Sequence, residues 1–211
     1  FAVDAANPSS YASGSSVWKD QTVNQNDGTL INGPTFDSGN GGSIVFDGTD
    51  DYITIQQTAG ALSQTIMTTE HWVKFDEFQS GGDMLLMDRT TFNGPTGIET
   101  FIFGTPKVVG VRGSGGTRHD GTIVISTGVW THICVVFIAG QASIYVNGEF
   151  DNSGAIETVQ HSTHPMHIGN YPSVPQLNFD GKWATLFIYH KALSTTEVAQ
   201  NYNALKGRFG L

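Results

Sequence analysis

Short apolar runs, each broken by Gly, Asn, Asp or Ser, recur almost from end to end. β-branched and aromatic residues fill the runs and turn formers bound them, which is the pattern of many short strands. The segments that read as strands are Phe1–Ala5, Ser43–Asp47, Tyr52–Ile55, Thr65–Phe75, Met84–Met87, Ile98–Phe103, Val108–Val111, Thr122–Ser126, Trp130–Ile138, Ala142–Val146, Pro165–Ile168 and Trp183–Tyr189. Strands this short and this evenly spaced close into a sandwich or a barrel. A helical bundle is excluded, because Gly is 26 of 211 residues and charged residues are only 14%. Hydrophobic residues at 38% suffice for a core, so bulk disorder is excluded too.

Two local signals fix detail. Asn147-Gly148 suits a two-residue hairpin turn, since both residues tolerate positive φ. Ser194-Thr195-Thr196-Glu197 is a capping box, and Val198, Tyr202 and Leu205 then give one apolar helical face, with Gly207 placed to end the helix in the left-handed conformation. Trp130–Ile138 is apolar on both faces and is expected at the centre of a sheet. Its Cys134, the one cysteine, reads as a small buried hydrophobe, and no intrachain disulfide is available. Its length is far short of the ~20 residues of a membrane helix, so no membrane insertion is expected. Ten Lys and Arg scattered singly in a chain of net charge −9 argue against a nucleic-acid partner. The chain opens on Phe1, as a processed chain or one domain of a longer protein does. Residues 1–211 show no repeat and no linker, so a single domain is expected.

An ordered series of segments carries a resemblance. Trp18-Lys19-Asp20 leads to Asn24–Leu30, then to Phe46-Asp47-Gly48-Thr49-Asp50-Asp51-Tyr52. Trp130-Thr131-His132, Gly140 and Ile144–Gly148 follow, and Phe179-Asp180-Gly181-Lys182-Trp183 runs into Ile188–Val198. The series resembles the laminin-G-like jelly-roll domains of the concanavalin A-like lectin/glucanase superfamily, over about residues 1 to 205. The ending Gln200–Gly210 is similar to members found in structural proteins of tailed phages, marine ones especially. The resemblance implies an all-β fold: a two-sheet antiparallel jelly-roll sandwich with one short C-terminal helix. Gly48 and Asn147-Gly148 would turn corners, Asp47 and Asn147 would bond their own backbone two residues on, and Trp130, Tyr145 and Tyr189 would fill the space between the sheets.

Glucanase members carry two glutamates and an aspartate on alternate strand positions. Here the i, i+2 acidic pair is Glu149 and Asp151, beside a hairpin tip, and the third acid is missing. Glycoside hydrolysis needs two carboxylates ~5–9.5 Å apart across the scissile bond. No enzyme activity is therefore expected. Family members often hold a structural calcium between the N-terminal loop and the last long strand. The acid many carry on that strand falls at Ala184, which leaves Asp20 and Asp180 as substitute ligands and at most one calcium expected. His161, His164 and His167 surround Pro165, which bars the helix that would align them, so loop or half-buried histidines are expected. Gly113-Ser114-Gly115-Gly116 lacks the Lys-Ser/Thr ending of a phosphate loop. Its flanks, Arg112, Arg118, His119 and Asp120, and the loop Asn170-Tyr171-Pro172 are the candidate ligand contacts: Arg118 as a fork donor, Tyr171 as an amphipathic ring. The expected role is a non-catalytic, lectin-like module of a phage particle, in a fibre, receptor-binding or capsid-decorating position on the virion surface. Its partner would be a surface glycan or a neighbouring virion protein, met in multiple copies. The alternative is a carbohydrate-binding module of a secreted bacterial enzyme or adhesin.

Overall fold

A computed structural model describes residues 1–56, 62–88, 95–170 and 177–211. In chain order its strands are β1 (Ala2–Asp4), β2 (Val17–Trp18), β3 (Gly28–Ile31), β4 (Thr35–Asp37), β5 (Ser43–Asp47), β6 (Tyr52–Ile55), β7 (Ile66–Glu77), β8 (Asp83–Met87), β9 (Glu99–Phe103), β10 (Val108–Arg112), β11 (Arg118–Asp120), β12 (Trp130–Ile138), β13 (Gln141–Val146), β14 (Glu149–Ala155), β15 (Met166–Ile168) and β16 (Asp180–Tyr189); one helix, α1 (Thr195–Leu205), follows. All pairings are antiparallel, and about 44% of the described chain is strand. Sheet A runs β14-β13-β12-β7-β16-β5-β4, with β1 also on β16; sheet B runs β11-β10-β9-β8-β15-β6-β3-β2. The expected all-β sandwich is the fold.

The inner faces meet in one core. Phe46, Phe75, Phe179 and Trp183 form its largest cluster, with Phe179 at 5.4, 5.0 and 5.4 Å from the other three rings. Trp183 satisfies its indole N–H on the Thr185 carbonyl at 2.9 Å, so full burial leaves that donor paired. β12 lies between β7 and β13, central as expected. Its Ile133, Val135 and Phe137 face the inter-sheet core, while Cys134 and Val136 pack with Tyr145, Leu193 and Val198 beneath α1. Covering on both sides is why this strand is largely apolar on both faces.

The local signals hold with two corrections. Asn147 (φ 52°) and Gly148 (φ 78°) form the primed hairpin turn between β13 and β14. Asn147 does not bond its own turn, however: its side-chain oxygen accepts from the His132 N–H at 3.0 Å. Ser194 caps α1 reciprocally with Glu197, at 3.3 and 2.8 Å. The left-handed stop is Gly210 (φ 77°), not Gly207, because the chain tightens into a 3₁₀ turn over Lys206–Phe209. That turn folds Phe209 back onto Trp72 (4.3 Å) and Trp130 (4.6 Å).

Three further expectations change. Trp130, Tyr145 and Tyr189 do not lie between the sheets; they fill the layer between sheet A and the C-terminal helix. Thr122–Ser126 is not a strand: the Thr122 and Ile123 N–H groups donate to the Asp151 carboxylate (2.9 and 3.0 Å) instead of to a neighbouring strand. β14, which is Asp-, Asn- and Ser-rich, forms because the tight turn returns it onto β13.

Candidate functional site

Alternation along sheet B separates two sets of side chains. Ile102, Val109 and Val111 enter the core, so Phe101, Phe103, Gly110 and Arg112 face outward. Gly110 has no side chain for a reason: a Cβ there would lie 2.4 Å from the Phe101 ring, which crosses over it. Arg112 and Arg118 are register partners of β10 and β11. Their guanidinium carbons sit 4.8 and 5.5 Å from the Phe101 centroid, and that of Arg118 sits 4.4 Å from Phe103. Glu99, fully buried, fixes Arg112 at 2.7 Å, and Asp120 pairs with Arg118. Phe103 stays 41% exposed, so this arginine–phenylalanine platform ends in an open aromatic ring.

The open end borders a groove of about 380 Å³ with Phe78, Gln79, Ser80 and Lys107 on its other walls. The Lys107 ammonium donates to the Gln79 carbonyl (2.9 Å) and lies 5.4 Å over Phe78. Behind Gln79, whose N–H reaches its carboxyl at 3.3 Å, Asp83 is fully buried on the same face as Ile102. Burial pushes the Asp83 carboxyl up to about 7, against the pull of Lys107. A groove of this size is at the small end of ligand sites. It offers ring faces, amide groups, the Ser80 and Thr105 hydroxyls and one ammonium.

A second polar cluster lies on the outer face of sheet A. Glu70, buried in β7, bonds His132 at 3.1 Å and accepts from the Asn201 amide of α1 at 2.7 Å; that amide also reaches the Tyr189 hydroxyl at 3.3 Å. Burial first, and then the Glu70 carboxylate, push the Tyr189 phenol up. These groups line a cavity of about 110 Å³ with Trp72 and Leu205. They tie the helix to the sheet through hydrogen bonds that the sequence pattern of two apolar strands did not announce.

A family model described as the concanavalin A-like lectin/glucanases superfamily matches residues 47–199, well over half of the chain. The chain belongs to this superfamily. Among solved structures it is similar to domain 4 of AbnA, an extracellular arabinanase of Geobacillus stearothermophilus in complex with arabinotriose. That match has TM-score 0.66 and 20% identity, over 82% of this chain and 86% of that one. It is also similar to the botulinum neurotoxin serotype G binding domain, with TM-score 0.68 and 14% identity, over 88% of this chain and 48% of that one. A third likeness is to a heptameric SAP-like pentraxin of Limulus polyphemus, with TM-score 0.60 and 19% identity, over 74% and 79%. No curated protein sequence matches the chain. At these identities the structural likenesses establish the jelly-roll fold.

Within this superfamily fold, the sequence candidates separate. Arg112 and Arg118 come together. His119, next along β11, turns the other way and packs on Gly154 of β14, where a Cβ would lie 2.4 Å from its ring. The glycine loop between them is clamped: Ser114 accepts from the Gln160 N–H at 2.6 Å, and Thr117 donates its N–H to Glu157 at 2.9 Å. Asn170 is buried just past β15, four strand spacings from β11, or roughly 19 Å at ~4.8 Å per strand. Tyr171 lies outside the described residues.

Asp20 and Asp180 do not meet. The Asp20 carboxylate accepts from the N–H groups of Ala2, Thr22 and Asn26 (each 3.0 Å) and from the Thr22 hydroxyl (2.8 Å), so it organises the N-terminal loop. Ala2 pairs with Phe187, seven residues along β16 from Asp180, which sets the two acids about 23 Å apart at ~3.3 Å per residue. Ala184, where many superfamily members carry an acid, is buried with Trp72, Trp130 and Phe209. Asp180 instead joins an acidic end: burial first, and then the charges of Asp76, Glu77 and Asp47, push its carboxyl up. Asp47, Asp50 and Asp51 bring carboxylate oxygens within 4.8 Å of one another, and burial pushes Asp51 up to about 6. Glu149 and Asp151 flank a bulge: Phe150 opposes Tyr145 and Asn152 opposes Ile144, so Asp151 is the extra residue, and it caps Thr122. His161 bonds the Ser63 carbonyl at 2.8 Å, while His167 packs edge-on to Tyr52 at 5.7 Å, so these two histidines serve different neighbours.

Proposed function

We propose that the chain is a non-catalytic glycan-recognition module, with the Phe101–Phe103–Arg118 platform and its adjoining groove as the binding site. The carrying observation is the exposed Phe103 ring held under the Arg118 guanidinium at the mouth of a sugar-sized groove. An aromatic face takes the C–H side of a sugar ring, and the guanidinium, Gln79 and Ser80 offer hydrogen bonds to its hydroxyls. The state of the one alternate acidic pair supports the non-catalytic reading: Asp151 is engaged by Thr122 and Ile123 at a bulge that breaks its alternation with Glu149. The complex of AbnA domain 4 with arabinotriose supports a saccharide as the class of ligand on such a fold.

A single sugar on so small a groove binds weakly, so useful affinity comes from display in several copies. The phage-like ending Gln200–Gly210 supports display on a virion surface, and a net charge of −9 suits an exterior module that does not adhere to the packaged genome. Glycan-array binding that is lost in Phe103→Ala, with no reducing-sugar release from the bound polysaccharide, is the expected result. Hydrolysis that vanishes in Glu149→Gln would overturn it. Particle proteomics decides between a virion component and a module of a secreted enzyme or adhesin.

A further inference from the structure

We infer that the cavity between sheet A and α1 is a second binding site, for a trimethylammonium group. It shares no lining residue with the sugar groove and stands apart from the glycan reading. Its floor is polar and buried: Glu70, Trp72 and His132 are each 1% exposed. The Glu70 carboxylate is held from two sides, by His132 Nε2 at 3.1 Å and by the Asn201 amide at 2.7 Å. Among the described residues its one ion pair is with that histidine, and no Lys or Arg reaches it. A neutral imidazole lends a hydrogen bond and no charge. A carboxylate buried without a full counter-charge is costly. It also accepts at about four sites, so two donors leave it room to meet a cation.

The mouth is apolar. Ala204 is exposed, and Phe187, Tyr189 and Leu205 are half-buried, so the cavity opens to solvent past carbon. The Phe187 and Tyr189 rings stand 6.4 Å apart at 56° to one another and form a corner. Aromatic walls of this kind hold quaternary ammonium groups. The N–H groups of a primary ammonium would lie unpaired against Phe187, Ala204 and Leu205, whereas methyl groups pack there. Size agrees. A cavity of about 150 Å³ holds benzene, so in proportion about 110 Å³ holds roughly four heavy atoms, the nitrogen and methyls of a trimethylammonium group. The rest of a longer ligand would extend past Ala204.

The test is a titration of the ¹⁵N-labelled chain at pH 8 with choline, and with the neutral alcohol in which carbon replaces its nitrogen. Choline should shift the Asn201 side-chain amide and the Trp72 indole N–H to saturation, and should bind about tenfold more tightly than the alcohol. Ala204→Phe fills the cavity from its exposed edge and should abolish these shifts. Glu70→Gln keeps the shape of the carboxyl without its charge and should bring the two ligands to equal affinity. Circular dichroism confirms that both variants are folded. Ala204→Phe leaves the Glu70 hydrogen bonds in place, so it decides the matter by itself if Glu70→Gln does not fold. Equal affinity of the wild-type chain for choline and the alcohol would overturn recognition of charge. Methylammonium binding more tightly than choline would overturn the methylated class. Shifts that survive Ala204→Phe, or no saturable shift at all, would overturn the site.

Discussion

Replacing Asp83 by Asn should stabilise the protein more at pH 8 than at pH 5. Asp83 is fully buried, and burial raises its carboxyl from the ordinary 3.8 to about 7. The folded state thus holds a proton that the unfolded state has released. Stability from this group is complete below about pH 4 and is lost as pH rises through 7. Between pH 5 and pH 7 the loss runs over two pH units at ~1.4 kcal/mol each, or about 3 kcal/mol. Asn keeps an oxygen for the Gln79 N–H but cannot ionise, so it escapes this loss. Its new amide donor costs about 1–3 kcal/mol if it stays unpaired, at every pH alike. The informative quantity is therefore the mutant-minus-wild-type difference, which should move by about 3 kcal/mol in favour of Asn between pH 5 and pH 8. For a chain of this size that is roughly 6–12 °C in Tm. Urea unfolding at both pH values measures it, and a difference that does not change with pH would refute the argument from burial.

Three further outcomes are expected. Gly148→Ala should cost about 1–3 kcal/mol, because its φ is 78° and a Cβ would lie 2.8 Å from Tyr202; thermal unfolding measures this, and a neutral result would remove strain from the account. Trp72→Ala should cost about 3–5 kcal/mol, since it deletes the ring that stacks on Phe209 and Tyr202, and hydrogen exchange should show residues 195–209 opening before the sandwich does. Chelator treatment should leave Tm unchanged, because backbone and hydroxyl donors already fill Asp20; a fall of many degrees would assign an ion to the Asp47–Asp50–Asp51 end.

What could be read from the sequence was local. The primed turn at Asn147-Gly148 and the Ser194 cap are specified by adjacent residues, and both formed as read. β12 was legible because covering on both faces leaves a largely apolar run, Ile133–Ile138, with no polar alternation. β14 was not, since Asp151, Asn152 and Ser153 are poor strand formers held there by pairing. The separation of Asp20 from Asp180 was not legible, because spacing from Gly181 places a residue along β16 but does not say which end of the strand the N-terminal loop reaches. The platform was half legible. Arg112 and Arg118 were singled out as loop flanks, while their aromatic partners, Phe101 and Phe103, read only as strand filling. Gly110, inside Val-Val-Gly-Val, was the available signal, because a glycine within a strand marks a close approach.

The central claim is a place on the molecule, and chemical-shift mapping tests it most directly. The ¹⁵N-labelled chain is titrated with the oligosaccharide that binds best on the array. The account predicts the largest shifts at Gln79, Phe103, Gly104, Lys107 and Arg118, all abolished by Phe103→Ala. Shifts centred instead on Asp47–Asp51, or on α1 and the Glu70 cavity, would contradict it.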